Sequence, residues 1–262
     1  MKLFYFFLKF LKVNLYNEMQ YKENFFIEFF FTFYDLMFAV LILQVIYNNT
    51  SNINNWSKQD ILILLGVFKI VDGFLSMIII PSLSNFSFNI ITGDFDYTIL
   101  LPVDSQFISC VRVINIWKIT DIIAGTIFII YCIIVFNIYF TIFHFINFIL
   151  MLVSGILIIT SLYLILSTCA FWWINITRLL NFFPQIYRNA GKWPVAIFTK
   201  KFRFVLTYIL PIGFAFTIPA ESIVGKLNFL SLISSIFISL FLVIFARIFW
   251  KIGITYYSGA SS

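Results

Sequence analysis

Apolar and polar positions alternate along this chain in long blocks: continuous apolar runs broken by short polar stretches. With roughly 20 apolar residues needed per membrane crossing, six runs qualify. They extend from about Phe25 to Tyr47, Ile61 to Pro81, Ile119 to Phe140, Phe143 to Trp173, Phe204 to Pro219 and Phe229 to Trp250. Because the runs are continuous, they predict helices and not the alternating strands of a barrel. The fourth is long enough to tilt or to project beyond the bilayer. Pro211, Gly213 and Pro219 mark the fifth as broken or short, and only protein neighbours or a water-lined cavity can satisfy the backbone groups released there. The expected fold is all-α: a polytopic membrane protein of six transmembrane helices with both termini cytosolic. An N-terminal amphipathic interface helix occupies residues 1–24, the spans occupy 25–250, and a cytosolic tail occupies 251–262.

The first segment, MKLFYFFLKFLKVNLYNEM, has an apolar run interrupted by Lys9 and Lys12 and no small-residue cleavage site after it, so it does not read as a secretion signal. Wound as a helix, Lys2, Tyr5, Lys9, Lys12 and Tyr16 form one polar stripe, while Leu3, Phe6, Phe7, Phe10 and Leu11 lie elsewhere around the cylinder. A basic stripe over an apolar face describes a helix lying in the membrane surface.

Composition sharpens this picture: 62% of residues are hydrophobic, only 11% are charged, and mean hydropathy is +1.01. A soluble domain carries about a quarter charged residues, so the chain belongs in a lipid bilayer. Orientation follows from the positive-inside rule. With the N-terminus inside, Lys2, Lys9, Lys12, Lys22, Arg112, Lys118, Arg178, Arg188, Lys192, Lys200, Lys201, Arg203, Arg247 and Lys251 all fall on the cytosolic side, leaving Lys58 and Lys226 outside and Lys69 within the second span. The net charge of +6 then faces anionic headgroups and implies no nucleic-acid partner. The basic segment from Asn175 to Phe204, with Tyr187, Trp193, Pro194 and Phe198 among its charges, reads as a lipid-anchoring loop, with a second contact to an ATPase as the alternative.

Between spans two and three, GDFDYTILLPVDSQF puts Asp94, Asp96 and Asp104 on the cytosolic side, where none incurs the roughly 2.5–3.5 kcal/mol of a carboxylate at a helix centre. Pro102, with Gly93, Asp104 and Ser105, predicts a turn joining two short amphipathic pieces. The apolar Phe95, Tyr97, Leu100 and Leu101 in such a loop require a partner, either bilayer or protein.

The pattern Gly-Asp-Phe-Asp-Tyr-Thr-Ile-Leu-Leu-Pro-Val at 93–103 resembles a Gly-x-Leu-Asp-x-x-Leu-x-x-Pro segment of a bacterial branch of type-2 ATP-binding-cassette (ABC-2) permeases, with Phe95 in place of the usual leucine. Further similar stretches follow in order: Ala170-Phe171-Trp172, Trp193-Pro194-Val195-Ala196-Ile197-Phe198, Leu210-Pro211-Ile212, Ile218-Pro219-Ala220, and a closing Trp250, Gly253, Tyr256 and Ser258-Gly259-Ala260. The resemblance implies a permease in the cell (inner) membrane that exports a substrate. It implies pairing with a second permease copy or sister permease and with two nucleotide-binding ATPase subunits, which would bind the ATP and magnesium. It also implies short re-entrant helices near an outer exit gate, around Pro211, Pro219 and Glu221. The absence of a G-x-x-x-x-G-K-[ST] phosphate loop agrees that another chain hydrolyses ATP. On this reading Gly93, Asp94, Phe95, Asp96, Leu100, Leu101 and Pro102 form the ATPase-coupling loop, with Phe95, Leu100 and Leu101 as apolar anchors and Asp94 and Asp96 as rim charges or helix caps.

Other readings remain open at this level. Asp94-Phe95-Asp96 matches the two-carboxylate metal motif of glycosyl transferases, which would make the chain a lipid-modifying enzyme, and a passive membrane scaffold is a further alternative. No metal site and no catalytic residue is expected: His144 is isolated and reads as an interfacial hydrogen-bonding group, and Cys110, Cys132 and Cys169 lie far apart. Three charges cannot leave the membrane. Asp35 in span one and Lys69 and Asp72 in span two fall near the midplane at about 1.5 Å per residue, which predicts a pair or triad, read as a staple between the helices with a substrate site as the alternative. A hydrophobic or amphiphilic cargo is the weak indication of the many phenylalanines.

Overall fold

A computed structural model describes residues 2–173 and 176–257, the side chain of Lys2 excepted. Asn175, where the basic segment begins, and the closing Ser258-Gly259-Ala260-Ser261 lie outside the described residues. Helices α1 (Lys2–Met19) and α2 (Glu23–Asn49) are followed by α3 (Lys58–Phe74), a π-helical turn at Leu75–Ile79 and α4 (Ile80–Thr92). Two short helices, α5 (Phe95–Ile99) and α6 (Ser105–Val111), precede α7 (Ile119–Val135) and α8 (Ile142–Thr168). The remainder comprises α9 (Thr177–Gly191), α10 (Lys200–Phe204) with a π-helical turn at Val205–Ile209, α11 (Ile212–Val224) and α12 (Phe229–Thr255). The chain is an all-α polytopic membrane protein.

The second span does not stop at Pro81. It runs from Lys58 to Thr92 as a 35-residue helix. Proline lacks the N–H that would bond the carbonyl four residues earlier; here that is Met77, and the Asn115 N–H donates to it instead at 2.8 Å. The π-helical turn absorbs the misfit, and the helix ends only at Gly93, whose φ of 81° is the left-handed conformation that glycine adopts without penalty. At its start, Ser57 and Asp60 form a reciprocal capping box.

The core lies along α3, which is buried over nearly its whole length between α7, α8 and α11. Small residues set these spacings. A Cβ on Gly66 would meet Ile129 at 2.5 Å, and one on Gly125 would meet the Gly66 carbonyl at 2.7 Å, so α3 and α7 touch backbone to backbone. A Cβ on Gly155 of α8 would lie 2.4 Å from the Ala215 carbonyl of α11. Pro219 leaves that carbonyl without its helical donor, and the glycine admits it.

The fifth crossing differs from expectation. The segment from Phe204 to Pro219 does not cross; α9, anticipated as part of a surface loop, does. Its first turn lies near the end of α8, its Arg188 reaches Asp72 in the last turn of α3, near the middle of the continuous Lys58–Thr92 helix, and beyond it Ala196 accepts a hydrogen bond from Asn54 in the α2–α3 connection at 2.8 Å. The chain has therefore reached the end of the bundle opposite to α1. From there α10 leads inward, the path turns by 92° at Leu210–Pro211, and α11 returns to the same end, where Lys226 pairs with Asp60 at 2.6 Å. Helices α10 and α11 thus form a re-entrant pair, and six crossings result from α2, α3, α7, α8, α9 with its extension, and α12. Sequence periodicity missed this because Arg178, Arg188 and Lys192 made α9 look too polar for a bilayer.

This path also redistributes charge. Lys200, Lys201 and Arg203 lie at the end opposite to α1, and Arg188 and Lys192 lie inside the bundle, whereas Lys9, Lys12, Lys22, Arg112, Lys118, Arg178, Arg247 and Lys251 remain at the α1 end. The basic bias survives in weaker form. Helix α1 itself packs Phe7, Phe10 and Leu11 against the core and ties Asn14 to the Arg112 carbonyl at 3.0 Å, leaving Lys9 over the Tyr5 ring and Lys12 near Tyr16 on its exposed side.

Replacing Gly155 with valine would push α8 from α11 and is expected to destabilise the protein by about 1–3 kcal/mol. Ile149→Val on the exposed face should stay within about 0.5 kcal/mol. Thermal unfolding of both variants in detergent checks the contrast; equal midpoints would disprove the close contact.

Candidate functional site: a braced hairpin and an intramembrane charge network

At the α1 end, Gly93 releases the chain into α5, a turn at residues 100–104, and α6, as the sequence predicts. Phe95 is not an exposed anchor. It is 1% exposed, in an aromatic box with Phe86 of α4, Phe171 after α8, and Trp250 and Tyr257 at the end of α12, at ring separations of 5.1 to 6.3 Å. A phenylalanine replaces the expected leucine because this box is built from aromatic edges and faces. Tyr97 and Leu100, at 72% and 81% exposure, and Leu101 with Pro102 form the projecting tip.

The carboxylates divide their tasks. Neither Asp94 nor Asp96 caps a helix through its side chain; Asp94 accepts from the Thr92 hydroxyl at 2.9 Å. Burial and the nearby Asp96 push the Tyr257 phenol up to about 12, although its hydroxyl makes no well-directed hydrogen bond. The cap is Asp104, which accepts from the Phe107 N–H at 3.1 Å and pairs with Arg247 of α12 at 2.5 Å. Partial burial raises the Asp104 carboxyl, but Arg247 and the N–H groups of α6 outweigh it and hold the group below the ordinary carboxylate range. Arg112 adds a hydrogen bond to Thr98 at 3.1 Å, joining α6 to α5. The hairpin is thereby locked to α4, α8 and α12 while its tip stays free.

Deeper in the bundle, the predicted triad becomes two networks. Lys69 bridges Asp35 of α2 at 2.8 Å and Asp121 of α7 at 3.1 Å, and Lys192, beyond α9, reaches Asp35 at 3.0 Å. Asp121 also accepts from the Thr32 hydroxyl at 2.8 Å, and Lys118 pairs with Glu28 at 2.5 Å. Asp72 does not join Lys69. It accepts from Arg188 at 2.9 Å and from the Tyr187 hydroxyl at 2.8 Å, with Ser76 taking a second Arg188 donor at 2.8 Å. Asp121 and the α9 cations are the residues sequence reasoning missed. Leu180, Phe183, Tyr187, Ala190 and Gly191 are buried at helical spacing, and that periodicity was the available signal.

In the re-entrant pair, Pro211 lies at the inward bend, Pro219 is buried inside α11, and Glu221 follows half a turn later on the way back to the opposite end. Thr141 caps α8, and His144 completes the capping box, with Nδ1 2.6 Å from the Thr141 hydroxyl, consistent with a hydrogen-bonding role. Among the described residues no three of His, Cys, Asp and Glu gather as metal ligands.

Six crossings, a helix lying along one end, a re-entrant pair at the other and a braced hairpin with an apolar tip define a polytopic helical membrane protein. Residues 33–261 match the model of the ABC-2 family transporter proteins, and the chain belongs to that family. No curated protein and no solved structure matches it.

Removing the Asp121 carboxylate leaves buried Lys69 with Asp35 alone and should cost about 1.5–3 kcal/mol, the range for a lost hydrogen bond to a charged group. Adding Lys69→Met to Asp121→Asn should recover more than half of that loss in thermal unfolding, and strictly additive effects would disprove the pairing. At the hairpin, the lowered Asp104 carboxyl contributes stability above its ordinary value of 3.8, and this is lost as pH falls through the lower folded value. A nitroxide at Tyr97→Cys should therefore become mobile only below about pH 4, and in an Asp104→Asn background at every pH. Immobility throughout would refute the clamp.

Proposed function

We propose that this chain is the permease subunit of an ATP-binding-cassette exporter, driven by separate ATPase subunits that dock on the tip of the α5–α6 hairpin. The observation that carries this reading is the contrast within the hairpin: Phe95 and Asp104 are fixed to three crossing helices, while Tyr97, Leu100 and Leu101 stand free. An exposed apolar tip on a rigid base is suited to receive a mechanical partner. The α1 end is then cytosolic, in agreement with its surplus of basic residues.

The cargo path follows from α9. Its buried side packs Leu180, Phe183 and Tyr187 into the core, and its other side exposes Arg178, Asn181, Gln185 and Asn189 at one-turn spacing. Amide groups at bilayer depth are costly against lipid. A second permease, identical or a sister chain, facing this stripe across a water-filled gap would satisfy them and create the passage. The re-entrant α10–α11 pair around Pro211, Pro219 and Glu221 would close that passage at the outer end. The many apolar surfaces beside it favour an amphiphilic cargo over a purely polar one.

Leu100→Arg leaves the aromatic box untouched and should fold normally. With a partner ABC ATPase that co-purifies with this chain and is reconstituted with it, the substitution is expected to lower permease-stimulated ATP hydrolysis about tenfold or more, from the loss of an apolar anchor worth about 1.5–3 kcal/mol. Unchanged stimulation and assembly would overturn the docking role.

A further inference from the structure

A pocket of about 330 Å3 lies between the re-entrant pair and the first turns of α12. Gly213, Thr217 and Glu221, four residues apart along α11, form one wall, and Asn228, Ser231 and Ser234 of α12 form another.

The polar atoms of this pocket are mostly acceptors. The Ser231 hydroxyl donates its hydrogen to the Asn228 carbonyl at 2.7 Å, and the Ser234 hydroxyl donates to the Ser231 carbonyl at 3.0 Å, so both oxygens are left with free lone pairs. Thr217 is 8% exposed, and its Oγ1 has no hydrogen-bond partner. Unpartnered hydroxyls at such burial are uncommon and call for an explanation. Glu221 has no ion pair among the described residues: the neighbouring Lys226 gives its ammonium to Asp60 at 2.6 Å and to the Asn55 carbonyl at 2.7 Å. Asn228 spends its carbonyl oxygen on capping α12, accepting from the Leu230 N–H at 3.3 Å, and keeps an amide donor.

We propose that this pocket binds a primary ammonium group, supplied either by an ethanolamine-type lipid headgroup or by a soluble amine. An ammonium has three donors and no acceptor. The Glu221 carboxylate balances its charge, the Thr217 and serine oxygens accept its remaining hydrogens, and Phe214, Ile218 and Leu230 cover the attached carbons. An anion would meet the carboxylate unfavourably, and calcium takes about six to eight oxygen ligands, more than one carboxylate and a few hydroxyls supply. The site deepens the export reading by giving the cargo or a regulating lipid a chemical handle at the outer end.

The test measures binding alone, with no ATPase or nucleotide, so its failure is separate from failure of the coupling experiment. The full-length chain in phosphatidylglycerol nanodiscs is titrated calorimetrically with phenethylamine, using 2-phenylethanol as the uncharged control and empty discs as the blank. Phenethylamine should bind saturably, 2-phenylethanol should not, and Glu221→Gln should weaken the amine about tenfold or more, as expected for a lost charge-assisted hydrogen bond. Thr217→Val, which keeps the volume, should weaken it less, and Ser234→Ala serves as a further probe should Glu221→Gln fail to fold. Equal affinity of wild type and the variants, or equal binding of the alcohol, overturns the proposal. Repeating the titration in discs containing phosphatidylethanolamine identifies the source: competition upholds the site as a headgroup site, and undiminished binding upholds it as a site for a soluble amine.

Discussion

The arrangement of the bundle depends on how one buried ammonium is neutralised. Lys69 is 7% exposed midway along the helix that forms the core, and an isolated charge there would cost several kcal/mol. It is tolerable only because α2 brings Asp35 and α7 brings Asp121 within hydrogen-bond reach. For α2 this matters most, since of its 27 residues only Thr32 and Leu43 are buried. Apolar packing cannot fix a helix whose surface is as comfortable in lipid as in protein. Its position is set by the polar contacts of Glu28, Thr32 and Asp35, each of which has its partner on α7, α3, the turn before α7, or the extension of α9.

The same electrostatic demand explains how a helix as polar as α9 enters the bundle. Arg188 and Lys192 face inward toward Asp72 and Asp35, so α9 brings cations to carboxylates already held there by α3 and α2. Once α9 crosses, the following segment must stay at the opposite end, and α10 and α11 dip inward and return. Backbone groups released along the way are met locally: Asn115 serves the Met77 carbonyl, and Gly155 makes room for that of Ala215.

What was legible in the sequence follows from these forces. Long apolar runs gave five crossings directly, because continuous hydropathy responds to the bilayer alone. The paired short helices after Gly93 and the Asp35–Lys69 pair were also readable, from turn residues and from the cost of charge at depth. The fifth crossing was not, because hydropathy counts Arg188 and Lys192 as reasons to leave the membrane, while the protein supplies carboxylates that cancel them. The burial of Phe95 was hidden for a related reason: besides the nearby Phe86, its partners Phe171, Trp250 and Tyr257 come from two distant parts of the chain, and no local pattern announces them. Asp121 stood at the expected edge of a span, and only the close contact of α3 with α7 brings it against Lys69.

The aromatic box also determines how the α5–α6 hairpin responds to force. A tip mounted on a flexible loop would dissipate a push as local motion. Here Phe95 sits among rings from α4, α8 and α12, and Asp104 is clamped to Arg247 of α12, so displacement of the tip has to move the ends of three crossing helices together. Close-packed interiors transmit displacement because there is little free volume to absorb it. Helix α4 continues through the π-helical turn into α3, where Asp72 and Lys69 hold α9, α2 and α7. A line of packed rings and ion pairs thus joins the exposed leucines at one end to the helix that carries the polar stripe.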